Sequence, residues 1–156
     1  MIIQRWQSVM LLIACILMAT FSFVSLGQFQ TEDYSLNVTS LGIFYEGEAT
    51  GTGASGVYAS TYYFFALSLL TAVLPLITIF LFRNPKLQIN LCKLELLLLI
   101  GVIATGVFES FYAIDGATLS WSSAVCAPFL AIAFTIRAWK FIKKDLNLLR
   151  SADRLR

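Results

Sequence analysis

The sequence predicts an all-α membrane protein with four transmembrane helices and both termini in the cytoplasm. Apolar residues make up 58% of the 156-residue chain and charged residues 13%, against about 45–50% and about 25% in soluble domains. Four apolar stretches are each about as long as the ~20 residues that cross a bilayer as a helix. The basic residues all fall in segments that four spans would place on one side of the membrane.

The predicted spans cover residues 6–26, 59–82, 94–113 and 122–142. We expect residues 1–156 to form one transmembrane domain, with an extracytoplasmic loop over 27–58 and a cytoplasmic tail over 143–156. None of the spans has a charge near its middle, where Asp, Lys or Arg costs roughly 2.5–3.5 kcal/mol on insertion scales. The first span lacks a convincing small-residue cleavage site, so we expect a retained helix rather than a signal peptide.

The charge distribution predicts the orientation. The N-terminus, the second connection and the C-terminal end together hold all the basic residues, which are Arg5, Arg83, Lys86, Lys93, Arg137, Lys140, Lys143, Lys144, Arg150, Arg154 and Arg156. The charged residues of the first and third connections are all acidic. They are Glu32, Asp33, Glu46, Glu48 and Asp115. Because cytoplasmic segments are enriched in Lys and Arg, the basic side is predicted to be the cytoplasm.

The extracytoplasmic loop contains a pattern typical of a short β-hairpin. Leu36 and Val38 alternate with polar neighbours, and Ile43 and Tyr45 are again two residues apart after a possible turn at 39–42. Alternation with a period of two residues is typical of strands with one buried face. The loop is therefore predicted to carry a small hairpin outside the four-helix domain.

The C-terminal tail is predicted to continue the fourth span as an amphipathic helix. Ile142, Leu146 and Leu149 are spaced as on one helical face. Two interpretations of this basic helix remain open. It could anchor the protein against anionic inner-leaflet lipids, or it could dock onto a protein partner.

One polar stripe is predicted within the third span. Gly101, Thr105, Glu109 and Tyr112 follow helical spacings and would share one face. Small residues favour close helix packing in lipid, so the stripe is expected to face another helix. Glu109 is predicted to be the acid inside a span and Glu95 an interfacial residue at the inner helix end, while Pro75 and Pro128 are predicted to kink spans two and four.

Most catalytic and metal-binding chemistry is not predicted. The chain has no histidine, the commonest general base and metal ligand. Cys15, Cys92 and Cys126 are far apart in sequence and lack the spacing of a zinc site. We therefore expect no enzyme activity, no cofactor, no bound metal and no nucleic-acid partner.

Three segments carry a family resemblance. They are MIIQRWQS at 1–8, FLFRNPKLQI at 80–89 and LRSADRLR at 149–156. Together with Lys143-Lys144-Asp145 and the order of the spans, the chain resembles a small four-helix inner-membrane family of Bacteroidota that is catalogued as a domain of unknown function. The resemblance implies a Gram-negative inner membrane and supplies no activity.

Polar residues on the predicted cytoplasmic side suggest a partner. The candidate partner-binding residues are Arg5, Arg83, Lys86, Gln88, Arg150, Asp153, Arg154 and Arg156, because arginines and acids make directional ion pairs. The favoured hypothesis is a non-catalytic accessory or structural subunit of a larger inner-membrane complex, in protein translocation or envelope assembly. A small homo-oligomeric transporter or channel using Glu109 is the alternative, and a lipid-acting enzyme using Glu46 or Glu48 is the third.

Overall fold

The computed structural model describes residues 2–30, 35–45, 56–82, 84–111 and 118–154. The helices are α1 (Ile2–Phe23), α2 (Tyr62–Phe80), α3 (Pro85–Phe111) and α4 (Ala127–Arg154), with a 3₁₀ turn over Ser123–Cys126 before α4. Successive helices run in opposite directions. α1 packs against α2 and α4, and α3 packs against the same two helices.

Five strands form one antiparallel sheet at one end of the bundle. They are β1 (Gly27–Gln30), β2 (Ser35–Thr39), β3 (Gly42–Tyr45), β4 (Val57–Ser60) and β5 (Thr118–Trp121), in the spatial order β4-β3-β2-β1-β5. We call this end the sheet end, and the opposite end, where α1 begins and α4 ends, the terminal end. The sheet therefore covers one end of the helices only.

All four helices are long and apolar enough to cross a membrane, as predicted. α4 continues to Arg154 over 28 residues without a break, which confirms the predicted helical tail. α3 begins at Pro85, nine residues before the predicted span. Proline suits the first turn of a helix, because its missing N–H would have no partner there. Pro85 therefore starts the helix instead of ending one, and residues 85–93, predicted as a connection, are helical.

The predicted hairpin is present within a larger sheet. Leu36 pairs with Tyr45 and Val38 with Ile43. β1, β4 and β5, each of four residues, were not predicted. β5 comes from the connection between α3 and α4 and pairs with β1.

The two faces of the sheet differ in polarity. Phe29, Leu36 and Ile43 belong to the face towards the helices, and Phe29 and Leu36 are buried. The opposite face includes Gln28, which pairs with Asn37 and Ser120. Because successive side chains of a strand point to opposite faces, the short strands bury their apolar residues against the bundle.

Buried hydroxyls attach the sheet to the helices. Ser40, fully buried in the β2–β3 turn, donates a 2.6 Å hydrogen bond from Oγ to the carbonyl of Ser22 near the end of α1. Thr61, which precedes α2, donates from its backbone N–H to the carbonyl of Leu41 at 3.0 Å and from Oγ to that of Ser40 at 3.2 Å. The turn is thus fixed between the ends of two helices.

Small residues bring the helices close together in the core. Ala127, Ala131 and Ala138 of α4 are buried. A second apolar cluster of Leu11, Cys92, Ala138 and Ile142 packs towards the terminal end. Pro75 is buried within a continuous α2. Pro128 is the second residue of α4, where proline is tolerated. It therefore does not kink the helix, contrary to the prediction.

Candidate functional site

Glu95 is the acid at the centre of the bundle. The prediction that it lies at the inner end of the third helix is therefore wrong. Its side chain is 0% exposed. It lies near the middle of the apolar helical segment Pro85–Glu109. The prediction was wrong because the polar residues before Leu94 were assigned to a connection, whereas they form the first turns of α3.

Glu95 has one hydrogen-bonded oxygen and one without a partner. The hydroxyl of Thr135, on α4, donates to Glu95 Oε1 at 2.8 Å. Glu95 Oε2 is buried and has no partner within the described part of the chain. A buried polar atom without a hydrogen bond is costly, so Glu95 is a candidate functional residue.

Glu95 belongs to a continuous buried stripe on α3. Gln88, Cys92, Glu95, Leu99 and Val102 are all buried, and they are spaced by four, three, four and three residues, as on one helical face. This spacing was visible in the sequence and could have identified Glu95 as a bundle residue. It was missed because the stripe begins with polar residues.

The hydroxyls buried on α2 are satisfied within their own helix. Thr71 Oγ donates to the carbonyl of Ser68 at 2.7 Å, and Thr78 Oγ donates to that of Leu74 at 2.9 Å. The side-chain amide of Gln88 donates to the carbonyl of Thr78 at 2.9 Å. The Thr71 and Thr78 hydroxyls are therefore satisfied inside α2, whereas the Gln88 amide joins α3 to α2.

The terminal end presents an exposed basic surface on α4. We define this basic surface as Lys140, Lys143, Lys144, Asn147 and Leu148, which line one open groove with Trp139 and are all exposed. The Lys143 ammonium lies 5.4 Å from the centre of the Trp139 ring, within the range of a cation–π contact. No salt bridge to these lysines is found among the side chains that the structure describes.

α1 supports this part of α4 directly. The side-chain amide of Gln7 donates a 2.5 Å hydrogen bond to Asp145 Oδ2. Ile142 is buried in the cluster that contains Leu11. Together these contacts fix the basic surface relative to the N-terminal helix.

The predicted partner-binding residues divide into three groups. Lys86 is exposed near the start of α3, whereas Gln88 is buried and bonded inside the bundle, which differs from the predicted surface role. Arg5 lies in α1, and Arg150, Asp153 and Arg154 lie in the last turns of α4; only their backbone is described. Arg83 and Arg156 lie outside the described residues.

The predicted stripe on α3 is only partly brought together. Gly101 packs close to Leu67 of α2, as expected: a Cβ added at Gly101 would lie 3.8 Å from Leu67 Cδ2. Thr105 Oγ bonds back to the carbonyl of Gly101 at 2.9 Å. Glu109 is half-buried at the edge of a cavity, and Tyr112 lies outside the described residues.

This cavity, of about 290 Å³, lies between the sheet and the helices. Its inner wall includes Phe21, Phe64 and Val102, all buried. The rings of Phe21 and Phe64 pack edge to face at 5.9 Å. Sheet residues such as Phe29 and Ile43 cover it. The lining of the cavity is almost entirely apolar.

Within the described ranges, no three His, Cys, Asp or Glu residues come together as a metal site. The loop acids Glu46 and Glu48 lie outside those ranges. The arrangement therefore offers a buried carboxyl, an apolar cavity and an exposed basic surface.

The fold defines a class of helical bundle whose four helices each suit a membrane by length and composition. More particularly, residues 3–155 match the family model described as Domain of unknown function (DUF4293), and the chain belongs to this family. This agrees with the prediction of an uncharacterised family. No curated protein matches the chain.

Proposed function

We propose that this protein is a non-catalytic accessory subunit of a larger complex in a bacterial inner membrane. The observation that carries the proposal is the exposed basic surface on the last turns of α4. At about 1.5 Å per residue, the 28 residues of α4 measure about 42 Å. A bilayer core is about 30 Å thick, so the helix extends beyond it.

The charge distribution supports a cytoplasmic location for the terminal end. The basic residues belong to the N-terminus, the connection between α2 and α3 and the end of α4. The positive-inside rule then places both termini in the cytoplasm and the sheet on the outer side. The basic surface would thus face cytoplasmic proteins or the cytoplasmic parts of membrane proteins.

The fixed position of the basic surface favours a protein partner over a lipid anchor. The Gln7–Asp145 hydrogen bond and the burial of Ile142 hold α4 in one position relative to α1. Lys140, Lys143 and Lys144 have the i, i+3 and i+4 spacing of one helical face. Exposed Leu148 adds an apolar contact. A lipid anchor needs only charge and hydrophobicity, whereas a binding interface needs such a preorganised arrangement.

The test is an affinity purification from native membranes in mild detergent, with the tag on the N-terminus. Lys143→Gln/Lys144→Gln removes two charges from the basic surface. The matched control, Lys93→Gln/Arg137→Gln, removes two charges from exposed positions elsewhere. We expect a stoichiometric larger membrane protein that is lost with the first variant and retained with the control.

Two outcomes would contradict the proposal. Equal effects of both variants would indicate general attraction to anionic lipid. Recovery of this protein alone, as a defined homo-oligomer, would favour the second candidate function, a small transporter or channel.

The observation that favours the transporter is the unpartnered oxygen of Glu95. Glu95 thus replaces Glu109 as the residue on which this hypothesis rests. Polar or ionisable groups near the middle of a membrane mark many transport paths. Under this hypothesis, Glu95→Gln would abolish solute flux, or the cell growth that depends on it. Glu109→Gln would leave both unchanged. If neither substitution changes flux, this candidate is excluded.

A further inference from the structure

The cavity between the sheet and the helices is large enough to need an occupant. Protein interiors contain few voids larger than a water molecule, and this one measures about 290 Å³. At roughly 10–15 Å³ of such volume per water-sized group, it has room for about twenty or more such groups. Its apolar walls offer water almost no hydrogen bonds, so the occupant should be apolar.

The mouth of the cavity is open to one side of the bundle. Three of its lining side chains are at least half exposed: Val107 of α3 at 50%, Trp121 of β5 at 54% and Phe129 of α4 at 57%. The inner wall, by contrast, is formed by Phe21, Phe64 and Val102, each at most 4% exposed. An apolar chain could therefore enter between α3 and α4 below the edge strand β5.

The level of the mouth matches the border between hydrocarbon and head groups. Val107 lies near the last turn of α3, and Phe129 lies in the first turn of α4. Trp121 precedes that turn, and tryptophan is enriched at membrane–water interfaces. The acyl chain of a lipid in the surrounding leaflet lies just below this level, so it needs little displacement to enter.

Charge at the rim favours one class of head group. Glu109 lines the cavity at its edge and is half-buried. By sequence, residues 27–58 and 114–121 contain no Lys or Arg. An anionic head group would find no counter-charge there, whereas an amine would find a carboxylate.

We propose that this cavity binds one acyl chain of an amine-bearing phospholipid from the surrounding leaflet, with Glu109 at the rim contacting the amine. The proposal depends on membrane insertion and is independent of any cytoplasmic partner. It commits to a membrane lipid; a lipid-modified protein or an apolar helix of another protein are outcomes that its test distinguishes.

The test reconstitutes the full chain in phosphatidylcholine vesicles that contain a trace of phosphatidylethanolamine with a mid-chain diazirine. After photolysis, the labelled residues are mapped by mass spectrometry. We expect adducts on Phe21, Phe64 or Val102, which lipid around the protein cannot reach, in addition to exposed Leu97 and Ile100. Adducts confined to exposed positions would overturn the proposal.

Two variants of α3 separate entry through the mouth from general labelling. Val107→Trp narrows the mouth, whereas Ile100→Trp changes an equally apolar, exposed position away from the cavity. Labelling of the inner wall should fall several-fold in Val107→Trp and persist in Ile100→Trp. Labelling of Leu97 should stay equal in both, which shows that each variant is inserted in the bilayer. Unchanged inner-wall labelling in Val107→Trp would contradict this entry route.

The head-group assignment is tested with a phosphatidylglycerol probe that carries the same chain. A partly exposed ion pair contributes about 0.2–1 kcal/mol, so we expect inner-wall labelling to favour phosphatidylethanolamine about 1.4- to fivefold. Glu109→Gln should abolish this preference. Equal labelling by both probes in the unmodified chain, or a lipopeptide or protein recovered stoichiometrically in place of phospholipid from native membranes, would overturn the assignment.

Discussion

Thr135 donates a hydrogen bond to Glu95 across the α3–α4 interface at the centre of the bundle, at 2.8 Å. The second carboxyl oxygen has no partner among the residues described. A bundle selected only for stability would be better served by apolar side chains of similar size. This arrangement therefore retains a polar group at some cost in stability, which can be measured.

Thr135→Val should destabilise the protein by about 1–3 kcal/mol, because it leaves both Glu95 oxygens unsatisfied. The double variant Glu95→Leu/Thr135→Val should be neutral or stabilising relative to the unmodified chain, because it replaces both partners of the buried hydrogen bond with apolar groups. Thermal unfolding in one detergent compares the two variants with the unmodified chain. A double variant less stable than Thr135→Val would show that the carboxyl makes contacts beyond this one.

Gly42→Ala should disrupt the sheet. A Cβ at Gly42 would lie 2.4 Å from the carbonyl oxygen of Ala59, and the glycine φ is +156°. At Gly56, φ is +113° but no atom of the residues that the structure describes lies within 4 Å of the added Cβ, so Gly56→Ala is the control for backbone strain alone, about 1–2 kcal/mol. We expect faster limited proteolysis of the sheet in Gly42→Ala than in the control. Equal proteolysis rates would mean that the backbone of β4 can move away at little cost.

Asp145→Ala should loosen the last turns of α4, because Gln7 loses its acceptor. Asp145→Asn keeps an amide oxygen that can accept the same bond and should retain the original protection. Amide hydrogen exchange over residues 146–154 measures the difference, with exposed Asn147→Ala as a further control. Faster exchange in Asp145→Asn would assign the effect to charge instead of to the hydrogen bond.

The three cysteines should react with maleimide in the order of their exposure. Cys126 is exposed, Cys15 is half-buried and Cys92 is buried. Because Cys126 lies at the sheet end, a membrane-impermeant maleimide should label it in intact spheroplasts if the sheet faces outwards. A variant with Cys126 as its single cysteine makes the result unambiguous, and labelling only after lysis would reverse the proposed orientation.

The helices could be predicted from the sequence more completely than the sheet or the site. Long apolar runs and charge spacing indicate the helices, because these depend on local composition. The pairing of Phe29 with Leu119 joins residues from separate connections, and no local pattern encodes it. Glu95 was misplaced for a different reason: the spacing of its buried stripe on α3 is visible in the sequence, but the polar residues before Leu94 were assigned to a connection.

The position of β5 has a consequence for biosynthesis. β1 is complete early in translation, yet one of its edges pairs with β5, about ninety residues later in the chain. Non-local pairings form late, so that edge stays open until α3 and the strand after it have been made. Closing the sheet therefore requires that α3 and the strand after it have reached their places. A nascent chain that stalls before β5 would expose an unpaired strand edge, the feature that promotes aggregation and that quality-control proteases could detect.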